Sequence, residues 1–314
     1  MITLNDIRQA HDRLKPYIRR TPLIAAHPVK VPAGSAKQLY LKLENMQVTG
    51  SFKARGAVNR VLTLTPEQAT RGLVTASGGN HGQGVAYAGW LAKVPATIYL
   101  SGNTPKEKAH KLEQWGARAI FAGEVFDDAN RAALAATERD GLVYVHAFAD
   151  PAVIAGQGTV GLEMLQDNPD LDVLLVAIGG GGLMSGISTA VKAMKPNIKV
   201  IGIEPIGAPT LYESLRQGHV VELPEIHTMA GTLAPRQSAA INFEIIKRNV
   251  DEIVLVSDEE MLEAAHWLWD ELSIAAELSG AAALAALLTG KVQVSETQKV
   301  GVLVCGAGTD ALTH

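Results

Sequence analysis

The chain has 314 residues, of which 47% are hydrophobic and 19% charged, a balance typical of a folded globular protein and not of a disordered one. With 28 basic against 32 acidic residues the net charge is -4, and no basic tract occurs, so the charge pattern argues against a nucleic-acid partner or an anionic membrane. The single cysteine, Cys305, excludes an intramolecular disulfide, and no apolar stretch approaches the roughly 18 residues of a membrane span. We therefore predict a soluble, cytoplasmic protein.

Short β-branched segments alternate with amphipathic segments, which is typical of parallel sheets built from β-α-β units. The first half contains four predicted strands of one block, at 72–76, 96–100, 118–121 and 142–145. Helices are predicted at 82–92 and 127–139, and a third is expected to open with Thr104 as N-cap and Pro105 at its first position, and to end at Gly116.

The alternation restarts after Asp150-Pro151. The predicted strands of this second block lie at 172–178, 199–203, 252–256 and 299–304, with helices between them. The stretch 218–236 is rich in turn residues and is the hardest part of the chain to assign. We predict an α/β protein with two doubly wound lobes of mostly parallel strands, and a ligand in the crevice at the carboxyl ends of the strands.

Lys53 lies between Phe52 and Ala54 in a segment bounded by Gly50 and Gly56. A lysine on a helix is usually a solvated charge. Here the partly apolar setting is expected to lower the pKa of the amine and expose its neutral form, which a lysine that forms a Schiff base requires.

Two glycine-rich turns follow predicted strands. The run from Ser77 to Gly82 opens a helix; an ordinary capped turn is one interpretation, and amides that bind a carboxylate at a helix N-terminus are the favoured one. The four glycines from Gly179 to Gly182 favour a phosphate cradle over a plain turn, although neither the P-loop nor the dinucleotide-binding spacing is present. Cys305, at the end of the last predicted strand, is by itself more typical of a small buried side chain than of a nucleophile.

Together these segments resemble the fold type II pyridoxal-phosphate enzymes, which are tryptophan synthase β-like, and specifically the serine/threonine dehydratase and serine racemase group. Four motifs in order carry the resemblance: Ser51-Phe-Lys-Ala-Arg-Gly56, Ser77-Gly-Gly-Asn-His-Gly82, the glycines 179–182, and Val304-Cys-Gly-Ala-Gly-Thr-Asp310. The likeness extends from about residue 5 to the end of the chain.

The resemblance implies a role for each matched residue. Lys53 would bind the cofactor and remove the α-proton of the substrate, and Phe52 would lie beside the cofactor ring. Asn80 would bond the cofactor's 3-oxygen, and Cys305 would face its ring nitrogen. Its phosphate would lie on Gly179, Gly180, Gly181 and Gly182. The substrate would be held by Ser77, Gly78, Asn80 and His81.

Two departures from the group's pattern matter. Racemases carry a serine where this chain has Gly78, so the second acid/base needed for racemisation is missing. The group's cation site resembles Glu204, Ala208 and Thr210, but racemases carry an acid at the third position. With one carboxylate and neutral oxygens, weak divalent binding, a monovalent ion or no ion at all is expected.

The resemblance therefore predicts β-elimination of a β-hydroxy amino acid: L-threonine to 2-oxobutanoate, or L-serine to pyruvate, with ammonia. The alternatives are a dehydratase for a bulkier substrate, such as 3-hydroxyaspartate or phenylserine, a serine racemase, and a binding module without chemistry, which the intact Lys53 and Asn80 disfavour. The resemblance also implies a homodimer, and a large cofactor-binding domain of residues 1–70 and 148–314 with a small mobile substrate-binding domain of residues 71–147.

Overall fold

The computed structural model describes residues 1–309 and 312, so Asp310 of the last motif lies outside the described residues. The strands in chain order are β1 (Leu23–Ala25), β2 (Gln38–Leu43), β3 (Leu73–Ala76), β4 (Ala96–Leu100), β5 (Arg118–Phe121), β6 (Val143–Tyr144), β7 (Val173–Ala177), β8 (Lys199–Pro205), β9 (Glu252–Val256) and β10 (Lys299–Val304). They form a six-stranded sheet in the order β1-β2-β10-β7-β8-β9 and a four-stranded sheet in the order β5-β4-β3-β6.

Almost every strand pair is parallel, the exception being β1 with β2. Parallel neighbours need a crossover, and the helices supply it. In chain order they are α1 (Leu4–Leu14), α2 (Lys53–Val61), α3 (Pro66–Arg71), α4 (Asn80–Ala92), α5 (Lys106–Glu113), α6 (Phe126–Asp140), α7 (Pro151–Asp167), α8 (Gly182–Met194), α9 (Thr210–Gln217), α10 (Ala240–Asn249), α11 (Asp258–Leu272) and α12 (Leu278–Leu288). Among the described residues, none of these helices has the length and apolar character needed to cross a membrane.

The core of the larger lobe lies around β7, β8 and β10. All five residues of β7 are buried, because helices cover both faces of the sheet, and this explains the continuous apolar run from Val173 to Ala177. Helix α12 is buried on all sides over Leu278–Leu287, which its run of alanine and leucine allows. These buried elements give the strand ends a fixed position.

Helix α2 is anchored by a buried ion network centred on Arg55. The guanidinium donates two hydrogen bonds to Glu44, each 2.7 Å long. Two more, of 2.8 and 2.9 Å, go to Glu163 on α7. Lys42 of β2 donates to the same Glu163 at 2.7 Å. Because β2, α2 and α7 meet in this network, it fixes the helix whose first residue is Lys53.

The predicted fold class is confirmed, with two lobes and mostly parallel sheets. The four strands predicted for the first block form the four-stranded sheet, and the four predicted for the second block are β7, β8, β9 and β10. The prediction for the start of α5 was wrong by one residue: Pro105 has a ψ of 139° and is extended, so the helix begins at Lys106. In the stretch 218–236, for which no element was predicted and all of which is described, the structure has no strand or α-helix.

Candidate active site

A cavity of about 1120 Å³ lies at the carboxyl ends of β3 and β7. Its wall contains every residue that the sequence assigned to catalysis, cofactor binding or substrate binding, namely Phe52, Lys53, Ser77, Gly78, Asn80, His81, Gly179, Gly180, Gly181, Gly182 and Cys305. The four motifs, which are far apart in sequence, therefore meet at one place.

Lys53 is held at the start of α2 by the last strand. The preceding Ser51 forms a β-bridge with Gly306, and the amide of Phe52 donates to the Cys305 carbonyl at 3.3 Å. The amine of Lys53 donates to the Ala147 carbonyl at 2.8 Å. Burial lowers the pKa of this amine to about 8, so roughly a tenth of it is neutral at pH 7, far more than for an ordinary lysine. The predicted apolar setting of Lys53 is therefore present.

The turn after β3 presents the N-terminus of α4 to the cavity. The amide of Ser77 donates to Tyr99 on the neighbouring strand, and the Ser77 hydroxyl accepts from the amide of Gly79 at 3.3 Å. A Cβ at Gly82 would lie 2.0 Å from the Ser77 carbonyl, so only glycine permits this close approach. The first amides of a helix have no intrahelical acceptor, and together with the helix dipole they attract an anion such as a carboxylate.

His81 lies in this turn, but its imidazole is engaged elsewhere. Nε2 lies 2.9 Å from the Val145 carbonyl and 3.1 Å from the Thr75 hydroxyl. A carbonyl only accepts hydrogen bonds, so Nε2 carries the proton. Burial, followed by the charge of Lys53, lowers the pKa of His81 to about 3 and keeps the ring neutral. The group of His81 that can serve a substrate is accordingly its backbone amide, at the second position of α4.

A carboxylate that the sequence analysis missed holds Asn80. Asn80 Nδ2 donates to Glu277 Oε1 at 2.8 Å, and the Ser279 hydroxyl donates to the same oxygen at 2.6 Å. A Cβ at Gly306 would lie 2.3 Å from that oxygen, so Gly306 makes room for it. The signal in the sequence is a lone acid directly before the apolar run of α12.

Cys305 is a buried, protonated thiol. Its Sγ donates to the Ser279 carbonyl at 3.3 Å, and burial raises the pKa of the thiol far above neutrality. The thiol therefore stays protonated in the cavity, which agrees with the expectation that Cys305 is more typical of a small buried side chain than of a nucleophile.

The glycine run precedes the first turn of α8. Gly181 has a φ of 90°, which favours glycine. Side chains at Gly180 and Gly182 would collide with Phe148, since a Cβ at Gly180 would lie 2.2 Å from its ring. The Gly180 carbonyl accepts from Asn242 Nδ2 at 2.8 Å. The loop is therefore pressed against Phe148, while the first amides of α8 remain without intrahelical acceptors and suit a phosphate.

Glu204, Ala208 and Thr210 do come together, but their oxygens are already used. The two Glu204 oxygens accept the amides of Leu211 and Tyr212 at 2.9 and 2.8 Å. The Ala208 carbonyl accepts the amide of Thr210, and the Thr210 hydroxyl donates to Pro235. Within residues 1–309 and 312, no group of three or more His, Cys, Asp or Glu side chains could hold a metal ion. These residues fit a capped helix better than a cation.

Comparisons with known proteins agree with this site. Residues 14–306 match the family model described as "Pyridoxal-phosphate dependent enzyme". The chain is 43% identical over 310 residues to the L-threonine ammonia-lyase of Thermotoga maritima, covering 99% of this chain and 76% of that protein. Among solved structures it is similar to maize serine racemase, with a TM-score of 0.93 and 34% identity over 99% of this chain and 95% of that one. It is also similar to the processed form of threonine deaminase isoform 2 from Solanum lycopersicum, with a TM-score of 0.91 and 34% identity over 98% and 84%.

The fold and the cavity define a fold type II enzyme that uses pyridoxal phosphate. The chain belongs to the pyridoxal-phosphate dependent enzyme family, and within it to the serine/threonine dehydratase group.

The residues of the cavity fit the cofactor of this family. Lys53 offers an amine of lowered pKa for the cofactor's aldehyde. The glycine loop and the N-terminus of α8 offer amides to its phosphate, and Phe52 lies in the wall beside Lys53.

The close packing of the glycine loop predicts that one added methyl group there weakens cofactor binding. Gly180→Ala is expected to weaken cofactor affinity about tenfold or more, since the new Cβ must displace Phe148 or the loop. Titration of the cofactor-free protein with pyridoxal 5′-phosphate, followed by absorbance, measures this. Gly231→Ala is the matched control, because Gly231 lines the same cavity and a Cβ there meets no atom within 4 Å. Equal affinities for the two variants would contradict this account of the loop.

Proposed function

We propose that this protein is a pyridoxal-phosphate-dependent ammonia-lyase that converts L-threonine to 2-oxobutanoate and L-serine to pyruvate, releasing ammonia. The observation that carries the proposal is the position of Lys53, whose amine lies in one cavity with the glycine loop and the N-terminus of α4. The relatives named threonine ammonia-lyase and threonine deaminase support the choice of substrate.

Different residues of the cavity have different roles in this reaction. When bound, the cofactor supplies an electron sink that makes the substrate α-proton acidic. Ser77 and the first amides of α4 bind the substrate carboxylate and orient the α-carbon. Lys53 Nζ takes the α-proton, which its lowered pKa allows near neutral pH. The protonated thiol of Cys305 would offer no negative charge to the cofactor ring, unlike a carboxylate, so the ring would be a weaker electron sink; this favours elimination, in which the α-proton and the β-hydroxyl are lost together as the elements of water.

The first experiment tests whether the protein binds the cofactor through Lys53, and the second identifies the substrate. The purified protein should acquire the yellow colour of a lysine-bound cofactor, and borohydride reduction followed by peptide mapping should find the cofactor on Lys53. A panel of L-threonine, L-serine, 3-hydroxyaspartate and phenylserine is then scored for keto acid. Highest kcat/KM for threonine or serine supports the proposal, and highest kcat/KM for a bulkier substrate would replace it with the second candidate. A protein that binds no cofactor at all would exclude both.

Serine racemisation is the other activity that must be distinguished from elimination, because the similarity to the maize serine racemase extends over most of the chain. Racemisation needs a proton donor on the face of the α-carbon opposite Lys53, and Gly78 offers none. A positioned acid or base contributes roughly 10²- to 10⁴-fold. We therefore predict that partial turnover of L-serine yields pyruvate with little or no D-serine, as measured by chiral chromatography.

The same position offers the converse experiment. Gly78 is not among the glycines of positive φ, so serine is not strained there, but a Cβ would lie 2.7 Å from Thr104 Cγ2. The double variant Gly78→Ser with Thr104→Ser removes that methyl group and should raise D-serine formation, with Thr104→Ser alone as control. D-serine formed by the unmodified enzyme as fast as pyruvate would show that the inference from Gly78 is wrong.

We further propose that residues 71–147 form a small mobile substrate-binding domain against a large one of residues 1–70 and 148–314. The four-stranded sheet lies within residues 73–144, which supports this division. In this division helix α2 belongs to the large domain and α4 to the small one, and the two helices pack against each other. The surface between α2 and α4 would therefore be the interface at which the small domain moves. A homodimer and a cytoplasmic location also remain predictions from the family resemblance.

A further inference from the structure

The segment after β6 passes between the two places where the cofactor would be held. The carbonyl of Ala147 accepts the Lys53 amine at 2.8 Å. The next residue, Phe148, packs its ring against Gly180 of the glycine loop. The Phe148 carbonyl and the Gly180 carbonyl accept hydrogen bonds from the same Asn242 Nδ2, at 3.0 and 2.8 Å. One short turn is thus in contact with both the amine and the phosphate loop.

His146 gives this turn its shape. Its Nδ1 accepts the amide of Phe148 at 3.2 Å and the amide of Ala149 at 3.0 Å. Its ring also packs edge-on against the Phe148 ring, with centroids 4.6 Å apart. Both hydrogen bonds require Nδ1 to be unprotonated, and burial together with the charge of Lys53 lowers the pKa of His146, which keeps it so. Nε2 then carries the proton.

We propose that His146 is a positioning residue: by accepting the amides of Phe148 and Ala149 it fixes the turn 146–149, and the turn sets the Lys53 amine and the glycine loop at the spacing that the cofactor requires. This inference rests on the proposed function, since it assumes that the cavity holds pyridoxal phosphate. His146 lies two residues after the end of β6, in none of the four motifs, and no role was predicted for it.

Three substitutions of His146 distinguish the role of Nδ1 from that of Nε2. Asparagine places its Oδ1 where Nδ1 lies and can accept the same two amides, as asparagine does in ordinary turns. Glutamine places its terminal group near the position of Nε2 and leaves the Nδ1 position without an acceptor. Leucine removes both. The comparison of His146→Asn with His146→Gln therefore tests the turn, with similar polarity in both variants.

The experiment is a titration of each cofactor-free variant with pyridoxal 5′-phosphate, followed by absorbance and by visible circular dichroism. His146→Asn is expected to bind within about threefold of the unmodified protein, and His146→Gln at least about tenfold more weakly, because two amides lose their acceptor. The dichroic band should persist in the asparagine variant and shrink in the glutamine variant, since it reports how rigidly the cofactor is held. His219→Gln, at an exposed histidine outside the cavity lining, is the matched control and should bind normally.

Equal affinities for the asparagine and glutamine variants, whether both normal or both weak, would overturn the proposal, because the Nδ1 acceptor would then not matter. His146→Leu should be at least as weak as His146→Gln; if it does not fold, the comparison of the first two variants still decides. Failure of the proposed function looks different: the unmodified protein and the His219→Gln control would then bind no cofactor either.

Discussion

Replacing Lys53 with alanine should lower keto-acid formation by several powers of ten, because the variant lacks both the amine that binds the cofactor and the base that takes the α-proton. The fold should survive. Lys53 is the first residue of α2, alanine is favourable in a helix, and among residues 1–309 and 312 the Lys53 amine donates only to the Ala147 carbonyl. Steady-state keto-acid assays with threonine and serine measure the loss, and far-ultraviolet circular dichroism checks the fold.

Lys111→Ala is the control for this experiment, since Lys111 is exposed on α5 and outside the cavity lining. It should retain the activity of the unmodified protein. Keto-acid formation by Lys53→Ala within about tenfold of the unmodified rate would show that another group removes the α-proton.

Replacing Arg55 with methionine should lower the free energy of unfolding by about 3–5 kcal/mol, because it leaves buried carboxylates without their main partner. The Arg55 side chain is 0% exposed and pairs with Glu44 and Glu163. Burial alone would raise the pKa of Glu163, but Arg55 and Lys42 lower it, so the carboxylate depends on these cations to stay charged. Urea unfolding followed by circular dichroism and by tryptophan fluorescence measures the change.

An exposed ion pair provides the comparison. Lys15 and Asp12 have side chains 61% and 72% exposed, so Lys15→Met should cost only about 0–1 kcal/mol. A loss for Arg55→Met no larger than that for Lys15→Met would mean that the buried network contributes little to stability.

The sequence predicted those parts of the fold that depend on local pattern. The strands of the four-stranded sheet and the buried β7 follow from β-branched runs between turn residues, and the structure has them within a residue or two of the predicted bounds. No element was predicted at the positions of α1, β1, β2, α3, α9 or α10. Strand β1 has three residues, and α9 has eight within or beside a turn-rich region, so neither offers a period long enough to recognise.

The cavity residues were predictable where the residue types of a motif indicate their chemistry, as at Lys53 and the glycine run. Side-chain partners were not, because they come from distant parts of the chain. Glu277 is 197 residues from Asn80, and the imidazole of His81 turns toward Val145, which is 64 residues away. A motif fixes which residues are near the ligand, but tertiary contacts decide which atoms face it.

The packing of Phe148 against Gly180 and Gly182 affects which residues of a related sequence indicate that the protein is still active. Side chains at those two positions would collide with an aromatic ring and a backbone even in a protein that never bound a phosphate. A gene copy that drifted away from the reaction would therefore keep these glycines for as long as it kept the fold. Lys53 is under no such restraint, since within the described part of the chain its amine contributes to the fold only the hydrogen bond to Ala147. In surveys of genomes, the lysine rather than the glycine run is the position that should separate working enzymes from inactive copies.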